Sequence, residues 1–206
     1  MGAPWDNFDE PQPDVTGKIL YRSGRNSDIY VTSELKAEID EANSHGGLRE
    51  SLAFHATNSL ALSGLAKYRA ICSAQYLIQQ GELIKTGEIL TETGSYYRNT
   101  GGLEYVYLSR DAISTSYCFT DGSSPDQYPI IFGIGGEEAS NLIKRSWQIS
   151  GHEIAVPGNI GLDSVKSVIV LAEDTPKIQG WVAEHCEEAL VLSRDAAAAI
   201  RLGRYA

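Results

Sequence analysis

Residues 153–171, EIAVPGNIGLDSVKSVIVL, decide the fold. Glu153 opens a short apolar run, EIAV. Pro157 and Gly158 break it, and Val165–Leu171 (VKSVIVL) resumes as a second run. Adjacent Pro and Gly between two β-branched runs are the chemistry of a turn joining strands. Working upstream, Tyr128–Ile134 (YPIIFGI) and Tyr105–Leu108 (YVYL) have the same compact, aromatic and β-branched character, and Ser51–His55 (SLAFH) adds another short strand. Nearer the start, ILYR and DIYV are two strand-like runs split by the polar SGRNS.

Helical patterns lie around these strands. Ser33–Asn43 carries Leu35 and Ile39 at i and i+4, with Ser33 as the expected N-cap. Residues 58–80 read as helical with a break near Ala70–Ser73, Glu137–Lys144 as a short helix, and Ile178–Arg201 as one or two helices ending in an alanine-rich run. Residues 92–103 are polar and Gly-rich, the expected mobile loop over a site. Short strands with helices concentrated early and late indicate α+β architecture, not a regular βαβ alternation. Residues 1–17 form an irregular Pro- and Asp-rich lead-in, and 18–206 a single domain.

The composition excludes several classes. The formal net charge of −10 leaves no long basic footprint for a phosphate backbone, although Arg22, Arg25, Arg69, Lys144 and Arg145 remain available to gather locally. Three cysteines, Cys72, Cys118 and Cys186, form no CxxC or Cys/His pattern, so neither a disulfide framework nor a metal site is implied, and buried free thiols are expected. There is no secretory h-region and no apolar run of membrane-spanning length. No GxGxxG or P-loop sequence is present. Eleven tyrosines against four phenylalanines favour half-polar clefts, where a ring stacks while its hydroxyl finds a partner.

Three segments carry chemistry together: Phe54-His55-Ala56-Thr57 at a strand end, Tyr105–Thr120 (YVYLSRDAISTSYCFT), and His152–Leu171. In that order they resemble the His–Tyr–Glu branch of the ADP-ribosyltransferase superfamily, which includes poly(ADP-ribose) polymerases, diphtheria-like toxins and the DNA-modifying DarT toxins. His55-Ala56-Thr57 stands where that branch has His-Gly-Ser/Thr. Tyr107, Ser114 and Tyr117 follow its aromatic-Tyr strand and Ser-containing helix, and Glu153 stands at the strand-opening catalytic position. Two departures are visible: Ala56 replaces the usual Gly, placing a methyl beside the expected carboxamide contact, and the Tyr107–Tyr117 spacing is one residue short. The resemblance covers roughly residues 50–172.

The resemblance implies an α+β, ADP-ribosyltransferase-like split β-sandwich flanked by helices, with NAD as substrate. Glu153, His55 and Tyr107 are the implied catalytic residues; His55, Ala56, Thr57, Tyr107, Ser114 and Tyr117 bind the dinucleotide. These residue types suit the reaction. A carboxylate stabilises the oxocarbenium-like ribose or holds its hydroxyl, and aromatic rings hold the flat nicotinamide. An Arg–Ser–Glu mapping of the same superfamily stays open, with Arg22 in Leu20-Tyr21-Arg22, Ser114-Thr115-Ser116, and Glu137-Glu138 as the acidic pair; those two acids are adjacent, where that branch separates them.

The expected function is transfer of a single ADP-ribose to a macromolecule, protein or nucleic acid, by a bacterial toxin or effector acting in the cytoplasm, in a target cell after delivery. A cognate immunity protein with a basic contact surface is the expected partner. An NAD glycohydrolase and an inactive binding domain of the same fold are the alternatives.

Overall fold

The computed structural model describes residues 15–23, 25–82, 102–111 and 127–201. The described residues start with an antiparallel hairpin, β1 (Val15–Ser23) and β2 (Arg25–Thr32), which forms a two-stranded sheet of its own. β1 begins at Val15, inside the stretch expected to be irregular. Helix α1 (Ser33–Ser44) follows. Its N-cap is Thr32, not the expected Ser33: Thr32 keeps extended backbone and its Oγ1 accepts the Leu35 N–H at 3.1 Å.

The remaining helices and strands of the described residues are β3 (Ser51–Asn58), α2 (Leu62–Tyr68), β4 (Ala70–Ile71), α3 (Ala74–Gln79), β5 (Tyr105–Ser109), β6 (Pro129–Gly135), α4 (Gly136–Lys144), β7 (Trp147–Gln148), β8 (Glu153–Pro157), β9 (Ile160–Gly161), β10 (Val165–Val170), α5 (Thr175–His185), β11 (Leu190–Ser193) and α6 (Arg194–Arg201). The break expected near Ala70–Ser73 is β4, which pairs with β9. Gly158 takes φ 80° in the turn after β8, a left-handed conformation that suits glycine. The C-terminal region differs from the expected helices. β11 separates α5 from α6, because the run LVLS pairs with β10 in parallel. A short continuous apolar run has no periodicity to tell strand from helix, and tertiary pairing decides it.

Among the described residues, seven strands form one mixed sheet in the order β11-β10-β6-β3-β5-β8-β7. Pairing is dense within two blocks. β3 runs antiparallel to β6 from Ser51↔Gly135 to Asn58↔Pro129, and β5 to β8 from Tyr105↔Pro157 to Ser109↔Glu153. Between the blocks, among the described residues, β3 and β5 pair at Phe54↔Ser109 alone. The α+β class thus holds, and the expected split takes the form of a four-strand and a three-strand block joined at one seam in a single sheet.

Each face of the sheet has its own apolar core. One joins both blocks: Ala53, Ile130, Phe132, Ile134, Val106, Leu108, Ile154 and Val156 meet Leu65 of α2, Ala139 of α4, and Ile178 and Val182 of α5. On the other face, Ile39 and Ala42 of α1 and the four alanines of α6 cover Phe54, Ile131, Ile169 and Leu192. Burial of these side chains, at about 25 cal/mol per Å² of apolar surface, is the main force holding the helices to the sheet. Cys186 is a buried free thiol whose pKa is pushed up by burial to about 11, and Cys72 is free and half-buried; Cys118 lies outside the described residues. Among the described residues, no helix is long and apolar enough to cross a membrane.

Candidate active site

Side chains alternate across the three-strand block. Val106 and Leu108 of β5, with Ile154 and Val156 of β8, enter the shared core. Tyr107, Ser109 and Glu153 therefore project from the opposite face. Tyr107 pairs with Ala155 and Ser109 with Glu153. This makes Tyr107 and Glu153 diagonal neighbours on one face, at a separation of roughly 7–8 Å for such positions. Trp147 pairs with Ala155 from the other side, so it shares that face at the sheet edge, and it is 60% exposed.

Local bonds fix both residues. The Tyr107 hydroxyl donates to the Gly102 carbonyl at 2.8 Å, which sets the direction of the ring. The Glu153 N–H donates to Ser150 Oγ at 3.2 Å, while its carbonyl accepts the Ile149 N–H at 2.9 Å, so a tight bend delivers Glu153 into β8. Its neighbour His152, an equally visible polar group in the sequence, is exposed outside the strand. Glu153 is half-buried at the strand's start.

His55 lies on the reverse side of β3 from Ala56. Phe54 and Ala56 contact the core under α1 and α6, so His55 and Thr57 point to the other side of β3, and His55 pairs with Phe132. The ring lies at the seam, where its Nδ1 bonds the Tyr107 carbonyl oxygen at 3.0 Å. A carbonyl only accepts, so Nδ1 carries the proton. Burial pushes the His55 pKa below its ordinary value, outweighing the upward pull of that carbonyl. A neutral imidazole thus ties β3 to β5 where the regular ladder has ended.

Of the expected site residues, Tyr107, Glu153 and Ala56 share one face of the sheet, and His55 and Thr57 occupy the reverse. The Ala56 methyl packs against the core under α1 and α6. Ser114 and Tyr117 lie outside the described residues, as does most of the expected loop over 92–103. For the Arg–Ser–Glu mapping, Arg22 sits on the separate β1–β2 hairpin, and Glu137 and Glu138 are exposed in the first turn of α4.

Sequence reasoning missed two features. Ser109 stands directly between Phe54 and Glu153 across the seam, and only strand register reveals it. Arg201, at the end of α6, reaches Asp111 just past β5, Nε to Oδ1 at 3.8 Å, bridging the helix layer to the Tyr107 strand. Nothing in the local pattern links residues so far apart in the chain. Among the described residues, no three His, Cys, Asp or Glu side chains group as metal ligands.

No protein-family model matches the chain. No curated protein matches it either. Solved structures that resemble it include DarT from Thermus sp. 2.9 in complex with ADP-ribosylated ssDNA, with a TM-score of 0.45, 9% identity, and coverage of 72% of this chain and 96% of that one. The same protein in complex with NAD+ gives a TM-score of 0.42 and 11% identity, over 70% of this chain and 96% of that one. At these identities the likeness is one of backbone course.

Proposed function

We propose that the chain is an NAD-dependent mono-ADP-ribosyltransferase that works from the face of β5 and β8. The observation that carries this reading is the placement of Tyr107 and Glu153 as diagonal neighbours on one face, with small Ala155 between Tyr107 and Trp147. A planar ring stacks on Tyr107, whose orientation the Gly102 bond fixes. The Glu153 carboxylate then lies at the ribose attached to that ring. As the nicotinamide–ribosyl bond breaks, positive charge grows on the sugar, and a preplaced carboxylate stabilises it. Ser109, directly opposite Glu153, turns its hydroxyl back on the chain, donating to the Asp111 carbonyl at 3.0 Å and accepting the Asp111 N–H at 3.1 Å, and so holds the end of β5 beside the carboxylate. NAD fits this pair as substrate: an aromatic platform and a carboxylate on one surface.

His55 acts in this reading as a positioning residue. Its Nδ1–H holds the Tyr107 carbonyl, so it fixes the strand that carries the stacking ring from behind the site. A bacterial toxin role, with an immunity protein that neutralises the chain, belongs to the same proposal. Its sign is growth arrest on expression, relieved by the product of a neighbouring gene.

The test is incubation of the chain with NAD⁺ labelled in its adenylate phosphate, in bacterial lysate, followed by nuclease or protease digestion. Label released by nuclease names a nucleic-acid acceptor, and label released by protease names a protein. Nicotinamide release without transferred label makes the chain a glycohydrolase. Absence of nicotinamide release in every condition contradicts the enzymatic reading.

A further inference from the structure

The sheet ends, at the opposite side from Glu153, in β11. One side of its backbone bonds β10, and among the described residues no strand lies on the other side. Helix α5 packs on one face of the sheet there and α1 on the other. The two helices overhang the strand edge and leave a groove of about 440 Å³, lined by Glu38 and Glu41 of α1, Thr175 and Gln179 of α5, and Val191 and Leu192 of β11.

The direction of the β11 backbone can be read from one side chain. Glu38 accepts the Ser193 N–H at 2.5 Å and the Ser193 hydroxyl at 2.8 Å. The Ser193 amide therefore turns toward α1 and away from β10. Backbone groups alternate sides along a strand, so Val191, two residues earlier, presents its N–H and C=O the same way, into the groove. Glu38 satisfies the edge at Ser193, and among the described residues no strand pairs with β11 on that side at Val191. An edge strand with outward donor and acceptor groups is a template for an added strand. Both charged residues lining the groove, Glu38 and Glu41, are carboxylates, on a chain whose formal net charge is −10.

We propose that this groove docks an extended, basic segment of a partner protein. The segment adds as a strand beside β11 through the Val191 backbone pair, and a lysine or arginine of the segment sits against Glu41. Main-chain bonds supply affinity and the carboxylates supply selectivity for positive charge. The docked segment lies at the far end of the sheet from Tyr107 and Glu153, so it leaves their face uncovered. Such a segment serves to recruit or anchor, not to plug the site.

The experiment uses the full chain and a fluorescein-labelled, end-blocked heptapeptide alternating Lys and Val, read by anisotropy. A Glu/Val peptide is the charge control, and a Lys/Val peptide with N-methylated central residues is the backbone control. Saturable binding of the Lys/Val peptide is expected, at least tenfold weaker for both controls and weakening with added salt. Glu41→Lys and Gln179→Lys, both at exposed helix positions, are expected to weaken it at least tenfold with unchanged thermal unfolding. Hydrogen exchange is expected to slow at the Val191 amide when peptide binds.

Absence of binding, equal binding of either control, or binding indifferent to both substitutions overturns the proposal. Protection of Val191 that appears without peptide and grows with protein concentration assigns the edge to a second copy of the chain, and also overturns it.

Discussion

At the residue scale, His55 spans the seam between the two blocks. As a residue type before Ala56-Thr57 it suggested a sugar ligand; in the structure it is a bolt across the seam, bonded to the Tyr107 carbonyl. Its burial has a pH consequence. The folded pKa is depressed below the ordinary 6.5, so below that value the unfolded chain binds a proton that the folded chain resists. His55 thus favours the folded state fully above pH 6.5, and that contribution is lost as pH falls, with a slope of at most about 1.4 kcal/mol per pH unit. His55→Asn keeps an N–H donor near the Nδ1 position and removes the titration. Urea unfolding from pH 7.5 to 5.5 is expected to show a shallower acid loss in this variant than in the parent. An identical slope would show that His55 is not the titrating group. Residue types were readable in the sequence for Tyr107 and Glu153. The face each occupies was not, because a one-residue shift in register reverses every side chain.

At the scale of elements, close strand packing sets which small residues are obligatory. A Cβ at Gly135 would lie 1.8 Å from the Glu50 carbonyl oxygen, and one at Gly133 2.1 Å from Ser167 Oγ and 2.4 Å from Ser51 Oγ. Gly64, in α2, has no heavy atom within 4 Å of the same construction. Gly135→Ala is therefore expected to destabilise by about 3 kcal/mol or to prevent folding, since backbone must move. Gly64→Ala is expected to stabilise by about 0.5–1 kcal/mol through helix propensity. Chemical unfolding of both variants checks the pair, and a neutral Gly135→Ala would contradict the β3–β6 register.

A second test concerns α1 and β11. Glu38→Ala leaves the Ser193 N–H and hydroxyl without their carboxylate and is expected to cost about 1–3 kcal/mol. The strands β3, β5, β6, β8 and β10 were legible because each is an apolar, β-branched run bounded by polar or turn residues. β11 was not, because LVLS between helical stretches becomes a strand only through its parallel partner β10. Thr32 and Ser33 are adjacent hydroxyl residues that offer the same capping chemistry in the sequence, and backbone angles choose Thr32.

At the scale of the whole molecule, the sheet is built as two blocks with one paired position between them, and the candidate active site occupies the smaller block beside that seam. The α2, α4 and α5 layer spans both blocks, while the α1 and α6 layer and the open edge at β11 belong to the large block, so the proposed chemistry and docking lie at opposite ends of one sheet. Charge follows no such division in the sequence: a net −10 says only that any basic contact is local. The central claim is that Glu153, on the face it shares with Tyr107, breaks the nicotinamide–ribosyl bond. The most direct measurement is the rate of nicotinamide release from NAD⁺ by the parent chain and by Glu153→Gln, with unfolding curves recorded on both. The expected result is release by the parent and a loss of at least about 100-fold in the variant at unchanged stability, the scale of removing a charge-stabilising group. Release that survives Glu153→Gln undiminished would contradict the claim.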